Sequence, residues 1–361
     1  MAKVKHISGL DCSAPADKMV RLVLSAQLKM MCDVRDKALE WHDPEGVHDM
    51  RVLSRRLRSA ISDFKPHLRK ASLPRLKLRA IARSLGAVRD EDVALAALEE
   101  LKSEANDSAA KGIELLAEER RRRRKDARAA LKEAIRRSAL GEFRKEFLTK
   151  LRAIAVVSLK KSGRKRANDG APTFGRIAIA VINARLKEFQ AAARGCIYFP
   201  FNITELHELR ILAKRLRYAI ELFAVCWGEE MEEIAREVAH MQTSLGELHD
   251  CDVWIDSLAV RLKQSARKEK SDEDNIRLRE GAAWLLRHFA TERMEHYRDA
   301  LARWKQWEAD GFLERLKAVL ARDMFSGKAT GESSLRSVPN RSYRNDHGPI
   351  AGDDASRGLV G

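Results

Sequence analysis

The sequence predicts an all-α protein whose two helical bundles arose by internal duplication and are related by an approximate twofold. Apolar residues recur at helical spacing over most of the chain, and Gly and Pro are rare inside these segments. The 361 residues are 45% hydrophobic and 34% charged, which is typical of a helical protein large enough for two bundles. One stretch, residues 47–64, returns as residues 206–223.

Start and stop signals divide the first half into six predicted helices. They cover approximately 17–41, 44–65, 74–86, 90–105, 108–139 and 142–159. Asp43 and Pro44 suit the cap and the first turn of the second helix. Gly86 is expected to end the third, and the carboxylates at 90–92 then suit the start of the fourth.

The second half repeats this order. Its predicted helices cover approximately 174–193, 202–228, 229–246, 250–266 and 276–310. A polar linker over 161–172 separates the first half, 17–160, from the second half, 173–322. Residues 1–16 predict a flexible N-terminus, and residues 323–361 a disordered tail, because neither segment has an apolar period.

The repeated stretch reads VHDMRVLSRRLRSAISDF in the first half and LHELRILAKRLRYAIELF in the second. At about 100° per residue, each copy puts its apolar residues on one side of a helix and a basic row on the other. The first row is His48, Arg51, Arg55 and Arg58. The second row is His207, Arg210, Lys214 and Arg217. Neither row contains an acid, so both predict a face that binds an anion.

Net charge also points to a polyanionic partner. Lys and Arg exceed Asp and Glu by 16, which favours nucleic acid, anionic lipid or a phosphate polymer. The aromatic content of 6% is low for a protein that stacks the bases of single-stranded nucleic acid.

The cysteines and the N-terminus predict a cytoplasmic protein. The five cysteines are scattered, odd in number and without CxxC spacing, which indicates reduced thiols rather than a disulfide frame or a zinc site. No apolar run resembles a signal peptide or a membrane span. No cofactor and no metal are predicted.

A second repeated motif strengthens the case for duplication. LGAVRDEDV at 85–93 matches LGELHDCDV at 245–253 with an offset of 160 residues, while the basic stretches are offset by 159. Spacing kept within one residue predicts two related halves whose basic rows face each other across a shared groove or pore.

These motifs resemble the CHAD domain, the conserved histidine α-helical domain. The resemblance rests on HxxRVxxRRLR followed by LGxxRDxDV, and on HxxRxxxKRLR followed by LGxxHDxDV. It implies two pseudo-symmetric bundles around a basic central cavity that binds inorganic polyphosphate without catalysis, and it suggests targeting to polyphosphate granules. Both basic rows would face the ligand, with Arg79 and Arg83 as additions. No ExExK signature of a fused triphosphatase domain is present.

The halves differ in one basic stripe. Arg75, Arg79 and Arg83 of the first half correspond to Ala235, Ala239 and Thr243. Stronger binding is therefore expected on the first half.

Two other functions remain open. A nucleic-acid binder would use the same rows together with the basic run 120–125. An HD-like, metal-dependent phosphohydrolase is suggested by His249 and Asp250. The corresponding first-half pair is Arg89 and Asp90, and arginine does not ligate metals.

Overall fold

A computed structural model describes residues 7–69, 72–156, 172–265 and 273–322. Over these ranges the chain forms ten α-helices, which confirms the all-α class. The β structure within them is one antiparallel pair of two-residue strands, β1 (Leu68–Arg69) and β2 (Ala155–Val156). The predicted tail, 323–361, and nearly all of the predicted linker lie outside the described residues.

Five helices precede the linker and five follow it. The first five are α1 (Ala16–Asp33), α2 (Glu45–Phe64), α3 (Arg75–Lys102), α4 (Asp107–Ala134) and α5 (Arg137–Arg152). The others are α6 (Phe174–Cys196), α7 (Ile203–Phe223), α8 (Glu229–Ser265), α9 (Glu273–Ala309) and α10 (Phe312–Ala321). Short 3₁₀ helices cover Lys37–Leu39, Lys65–His67 and Ala224–Cys226.

The predicted breaks at Gly86 and Gly246 are wrong, because α3 and α8 each continue through these positions. A Cβ on Gly86 would lie 3.8 Å from Nε of Arg51, and a Cβ on Gly246 would lie 3.8 Å from Nε of Arg210. Each glycine thus lies beside an arginine of the preceding basic row, within a continuous helix, and a Cβ there would make an ordinary van der Waals contact with that arginine.

The first helix is shorter than predicted. It ends at Asp33, and the chain then turns into the 3₁₀ helix Lys37–Leu39. This turn packs against the start of α2, where a Cβ on Gly46 would lie 2.1 Å from the carbonyl oxygen of Lys37. The close approach of two backbones explains the glycine at this position.

The cysteine prediction is wrong for two of the five residues. Cys12 and Cys226 form a disulfide with a Cα–Cα distance of 5.7 Å. The backbone around Cys12 is also held by the start of α6, because its carbonyl accepts from Gly175 N and the Ala14 carbonyl accepts from Phe174 N. Sequence spacing cannot show this pairing, since the two cysteines are 214 residues apart.

Within the described residues, apolar side chains of the two halves pack together in two clusters. The ends of α2 and α7 pack in the main core, where the rings of Phe64 and Phe223 lie 5.9 Å apart at 87°. At the other place α4 crosses α9 so closely that a Cβ on Gly112 would lie 2.0 Å from the carbonyl oxygen of Arg277. A smaller apolar cluster that includes Leu98 and Leu285 fills this second junction.

The helices between these junctions complete a ring. In order of contact around it lie α2, α3, α4, α9, α8 and α7, and α7 packs again on α2. The basic rows of α2 and α7 thus lie on neighbouring members of one ring. Within the described residues, no helix combines the length and the apolar character needed to cross a membrane.

Candidate functional site

The apolar sides of α2 and α7 fix the direction of both basic rows. Met50, Leu57 and Phe64 of α2 have no exposed surface, and the same is true of Leu209, Leu216 and Phe223 of α7. Burial of three large apolar side chains per helix prevents rotation about the helix axis. The opposite face of each helix is therefore held away from the core.

A cavity of about 350 Å³, here called the arginine cavity, lies between these faces and the start of α3. Its lining is Arg55, Arg58, Ser59, Ile61, Ser62, Arg75, Leu78, Arg79, Ile211, Lys214, Arg215 and Tyr218. Five arginines and one lysine thus face one space, and they come from both halves of the chain. No acidic residue is among these lining residues, and none of the six cations forms an ion pair with a carboxylate in the described part of the chain.

The cations of the cavity disturb each other's ionisation. Burial, together with repulsion from Arg55 and Arg210, lowers the pKa of the Lys214 amine to about 7. Burial also lowers the pKa of Arg55, and burial with repulsion from Arg79 lowers that of Arg58. Such a cluster is stabilised by any ligand that brings negative charge into it.

Arg51 and Arg210 lie beside the cavity rather than in its lining. Arg51 Nη2 donates to Asp90 at 3.1 Å, and Arg210 Nη2 lies 3.9 Å from Asp250. Both carboxylates belong to the next helix of their own half. The sequences of the basic rows alone therefore did not predict these ion pairs. The two arginines are partly neutralised, and they make the same contact in each half.

Asp92 and Asp252, two positions after Asp90 and Asp250, contact other arginines. Asp92 lies 3.4 Å from Arg128, and Asp252 accepts from Arg293 at 2.5 Å. The same guanidinium groups donate to the carbonyls of residues 41 and 200, respectively. These carboxylates fix the helix ring, because each is buried and engaged by a guanidinium group.

The histidines of the rows lie near the cations. Burial lowers the pKa of His48, with Arg89 as the next cause, and burial lowers that of His207, with Arg210 as the next cause. His207 Nδ1 lies 3.0 Å from Nδ1 of His249, whose pKa falls to about 4 because of burial and of Arg210. Protonation of these rings is therefore suppressed in the unliganded protein.

Only some of the predicted site residues line the arginine cavity. Arg55, Arg58, Arg79 and Lys214 line the arginine cavity, whereas His48, Arg51, His207 and Arg210 do not. Arg217 is also outside the lining, with Nε 3.1 Å from Oε1 of Glu221. Arg83 is exposed further along α3.

Two lining cations were not in the predicted set. Arg75 belongs to the first-half stripe, and its four-residue spacing from Arg79 was the available signal. Arg215 sits next to Lys214 in the second row, but its angle on an isolated helix places it beside the row. The packing of α7 on α2 brings it to the cavity.

The basic run 120–125 on α4 is largely neutralised. Arg120 lies 3.2 Å from Glu91 and its guanidinium is 5.2 Å from the ring centre of Trp254. Arg121 pairs with Glu99 and Glu114. Much of this charge is therefore engaged within the fold and contributes less to an anion-binding surface than the arginine cavity does.

A family model decides the identity of the fold. The model of the CHAD domain matches residues 22–259, which include both basic rows and both LG motifs. The chain belongs to the CHAD family. The match thus confirms the family that the motifs indicated.

Two solved structures share the fold of this chain. The chain is similar to the CHAD domain from the plant Ricinus communis, with 22% identity, a TM-score of 0.57, and coverage of 89% of this chain and 97% of that one. It is also similar to PptA from Streptomyces chartreusis, with 14% identity, a TM-score of 0.60, and coverage of 81% and 100%. At these identities the likeness shows the fold. No curated protein matches the chain significantly.

Proposed function

We propose that this CHAD protein binds inorganic polyphosphate, without catalysis, through the arginine cavity and the basic rows beside it. The observation that carries the proposal is the meeting of six cations from α2, α3 and α7 around one space whose described lining contains no carboxylate. Membership of the CHAD family supports the same ligand, which the sequence motifs implied.

The chemistry of the cavity suits a phosphate chain. Each internal phosphate of the polymer carries about one negative charge, so affinity is dominated by charge density and depends on salt. Arginine forks bridge phosphate oxygens at fixed angles, while the amine of Lys214 acts as a point charge. Bound phosphate also offsets the mutual repulsion that lowers the pKa of Lys214.

Nucleic acid is the second candidate. Reading of a duplex requires a basic helix that is exposed and able to enter a groove about 12 Å wide. Six cations without ion pairs in the described chain instead line a recess between three helices, and the exposed run on α4 is partly paired with acids. Polyphosphate, a thinner chain without bases, fits this arrangement better.

The HD-like phosphohydrolase remains the third candidate. Its two defining residues are engaged with other side chains, because His249 contacts His207 and Asp250 lies beside Arg210. A phosphohydrolase would release orthophosphate from a phosphate ester or anhydride in the presence of a divalent metal. We expect no such turnover.

A competition titration separates the three candidates. Long-chain polyphosphate should displace labelled RNA or DNA from the protein at a much lower phosphate concentration than the reverse displacement requires. The same samples, supplied with Mg²⁺ or Mn²⁺, should release no orthophosphate. Tighter binding of nucleic acid would contradict the proposal, and metal-dependent release of phosphate would replace it by the enzymatic function.

We further propose that the two halves arose by duplication and that the protein serves to target polyphosphate granules in the cytoplasm. The recurrent contacts of Arg51 and Arg210 support the first point. The disulfide between Cys12 and Cys226 argues against a cytoplasmic location, because disulfides persist mainly in oxidising compartments. Fluorescent tagging with co-staining of polyphosphate tests the location, and a diffuse or extracytoplasmic signal would contradict it.

A further inference from the structure

A second cavity, of about 410 Å³, lies on the other side of the α2–α7 contact. We call it the apolar cavity. Its lining is Ile7, Leu10, Gln27, Met30, Val52, Leu53, Arg56, Ser59, Ala60, Tyr218, Glu221, Leu222, Ala224, Val225, Glu232, Ala235, Arg236 and Ala239. It shares only Ser59 and Tyr218 with the arginine cavity.

The two cavities occupy corresponding places in the two halves. Offsets of 159 and 160 residues pair much of one lining with the other. The pairs, with the apolar cavity first, are Val52 with Ile211, Arg56 with Arg215, Ser59 with Tyr218, Tyr218 with Ser59, Glu221 with Ser62, Ala235 with Arg75, and Ala239 with Arg79. The fold thus forms the same recess twice.

The two recesses differ in charge. Where the arginine cavity has Arg75 and Arg79 on α3, the apolar cavity has Ala235 and Ala239 on α8. Its formal charges cancel, because two arginines, at 56 and 236, are matched by two glutamates, at 221 and 232. A recess of this composition has no preference for a phosphate chain.

Two buried oxygen atoms lack a hydrogen-bond donor in this region. Gln27 is 7% exposed, and its Oε1 has no partner within the described chain. Oε2 of Glu221 lies 2.9 Å from Arg56 Nη2, but the pair lacks the alignment of a hydrogen bond. Buried acceptors without donors are costly, so a ligand that donates a hydrogen bond would stabilise the site.

The N-terminal segment closes one wall. Ile7 and Leu10 face the cavity together with Ala224 and Val225, and the disulfide between Cys12 and Cys226 joins the two walls covalently. The cavity therefore has a fixed rim on this side. A preformed, mainly apolar recess with a few polar groups is typical of sites for small molecules.

We infer that the apolar cavity binds an uncharged amphiphile, an apolar chain that ends in a hydroxyl group, and that the Gln27 side chain turns so that its Oε1 accepts a hydrogen bond from this hydroxyl. A cavity of about 150 Å³ accommodates a benzene molecule of six heavy atoms, so about 410 Å³ corresponds to roughly 16 heavy atoms. This size is an upper bound, and a medium-chain alcohol such as 1-decanol fits within it. This inference is independent of polyphosphate binding.

Calorimetric titration of the full chain with 1-decanol tests the inference, with decanoate and decylammonium as charged probes of equal length. We expect saturable binding of one 1-decanol per chain, and a rise in melting temperature with 1-decanol alone. Decanoate lacks the donor, and either charged head group would have to leave water for a recess whose formal charges already cancel. Equal or tighter binding of either charged probe, or absence of saturable 1-decanol binding, would overturn the inference.

Three variants locate the site. Ala239→Phe should fill the cavity and weaken 1-decanol binding by about tenfold or more, and Gln27→Leu should weaken it by about threefold to tenfold. Gln242→Leu is the matched control, because its Oε1 also lacks a partner but lies outside the lining. It should bind 1-decanol within about twofold of the wild type.

Polyphosphate affinity, measured on the same samples, shows whether each variant is folded and whether the two sites are independent. This affinity should be unchanged in all three variants. Loss of 1-decanol binding in Gln242→Leu but not in Gln27→Leu would contradict the assignment. If Ala239→Phe fails to fold, Gln27→Leu against Gln242→Leu still decides the question.

Discussion

The arginine cavity and the apolar cavity show how one recess can acquire two chemistries. Both lie beside the contact of α2 with α7. Helix α3 closes the arginine cavity, and its counterpart in the second half, α8, closes the apolar cavity. Two arginines on α3 make one recess cationic, whereas two alanines on α8 leave the other apolar. The backbone supplies the shape, and a few side chains on one helix determine the ligand.

The difference also shows which charges matter. Arg56 and Arg215 are counterparts, but Arg56 lies 2.9 Å from Glu221 while Arg215 lines a recess whose described residues include no acid. A cation with a carboxylate beside it contributes little to binding of another anion. A count of basic residues in the sequence therefore overestimates the anion affinity of the apolar cavity and underestimates that of the arginine cavity.

The largest expected effect concerns the disulfide, whose near neighbours in sequence, Leu10, Ala224 and Val225, line the apolar cavity and not the arginine cavity. Replacing both Cys12 and Cys226 by serine should lower the free energy of unfolding by about 2–4 kcal/mol, because the unfolded chain loses a long covalent loop. Denaturant unfolding measures this change. The same variant should lose 1-decanol binding and retain polyphosphate binding. Equal weakening of both ligands would show that the cavities are not independent.

Conversion of the arginine cavity toward its apolar counterpart comes next. Replacing both Arg75 and Arg79 by alanine should weaken polyphosphate binding by about 2 kcal/mol, or about 30-fold, because two charge-assisted contacts are removed. Isotherms at two salt concentrations measure the loss. Arg83→Ala, on the same helix but outside the lining, is the control and should change affinity by less than about threefold. A loss as large in the control would refute the placement of the ligand.

The pH dependence of polyphosphate binding tests the state of Lys214. Its pKa is about 7 in the free protein, and bound phosphate raises it, so binding above pH 7 requires uptake of a proton. Affinity should fall by up to about tenfold per pH unit between pH 7 and the pKa in the complex. Lys214→Arg stays protonated and should remove this alkaline fall. An identical fall in the variant would assign the proton to another group.

The histidines add a smaller effect on the acid side. Since the pKa values of His48 and His207 are lowered in the free protein and bound phosphate raises them, affinity should rise further as pH falls below about 6.5. The double variant with alanine at both positions should lose this rise. An unchanged slope would mean that both rings are structural.

The smallest effect is a gain. Ala239→Arg restores one member of the first-half stripe on α8 and should tighten polyphosphate binding by about threefold, the range of one exposed charge pair. Ala239→Gln, of similar size but uncharged, should not tighten it. Both variants should block 1-decanol binding, which titration of the same samples measures. A gain in the glutamine variant would show that size, not charge, separates the two recesses.

The sequence predicted the parts of this molecule that depend on local pattern. Helical periodicity established the all-α class, and the unmixed basic rows established the faces of α2 and α7. The repeated motifs led to the CHAD family, which the family match confirms. These signals lie within single helices and can be found without knowledge of packing.

Features that depend on packing between helices were missed. Gly86 has the local pattern of a helix end, but it lies in the middle of α3, beside Arg51. The disulfide joins residues 214 positions apart, which no spacing rule detects. Ala235 and Ala239 were recognised only as lost arginines, because an apolar recess is visible only when α1, α2, α7 and α8 are placed together.

The central claim is that cations from the two halves converge on one polyphosphate-binding cavity. Charge-matched variants test it most directly. Arg55→Ala with Lys214→Ala removes one cation per half from the cavity, and Arg123→Ala with Lys125→Ala removes the same two charges from an exposed part of α4. Isotherms with defined-length polyphosphate at several salt concentrations give affinity and the number of phosphate contacts.

We expect the cavity variant to lose at least about 30-fold in affinity and its salt slope to fall by nearly two, while the α4 variant should stay within about threefold of the wild type. Equal losses in the two variants would show that polyphosphate responds only to net charge, and would contradict a shared cavity.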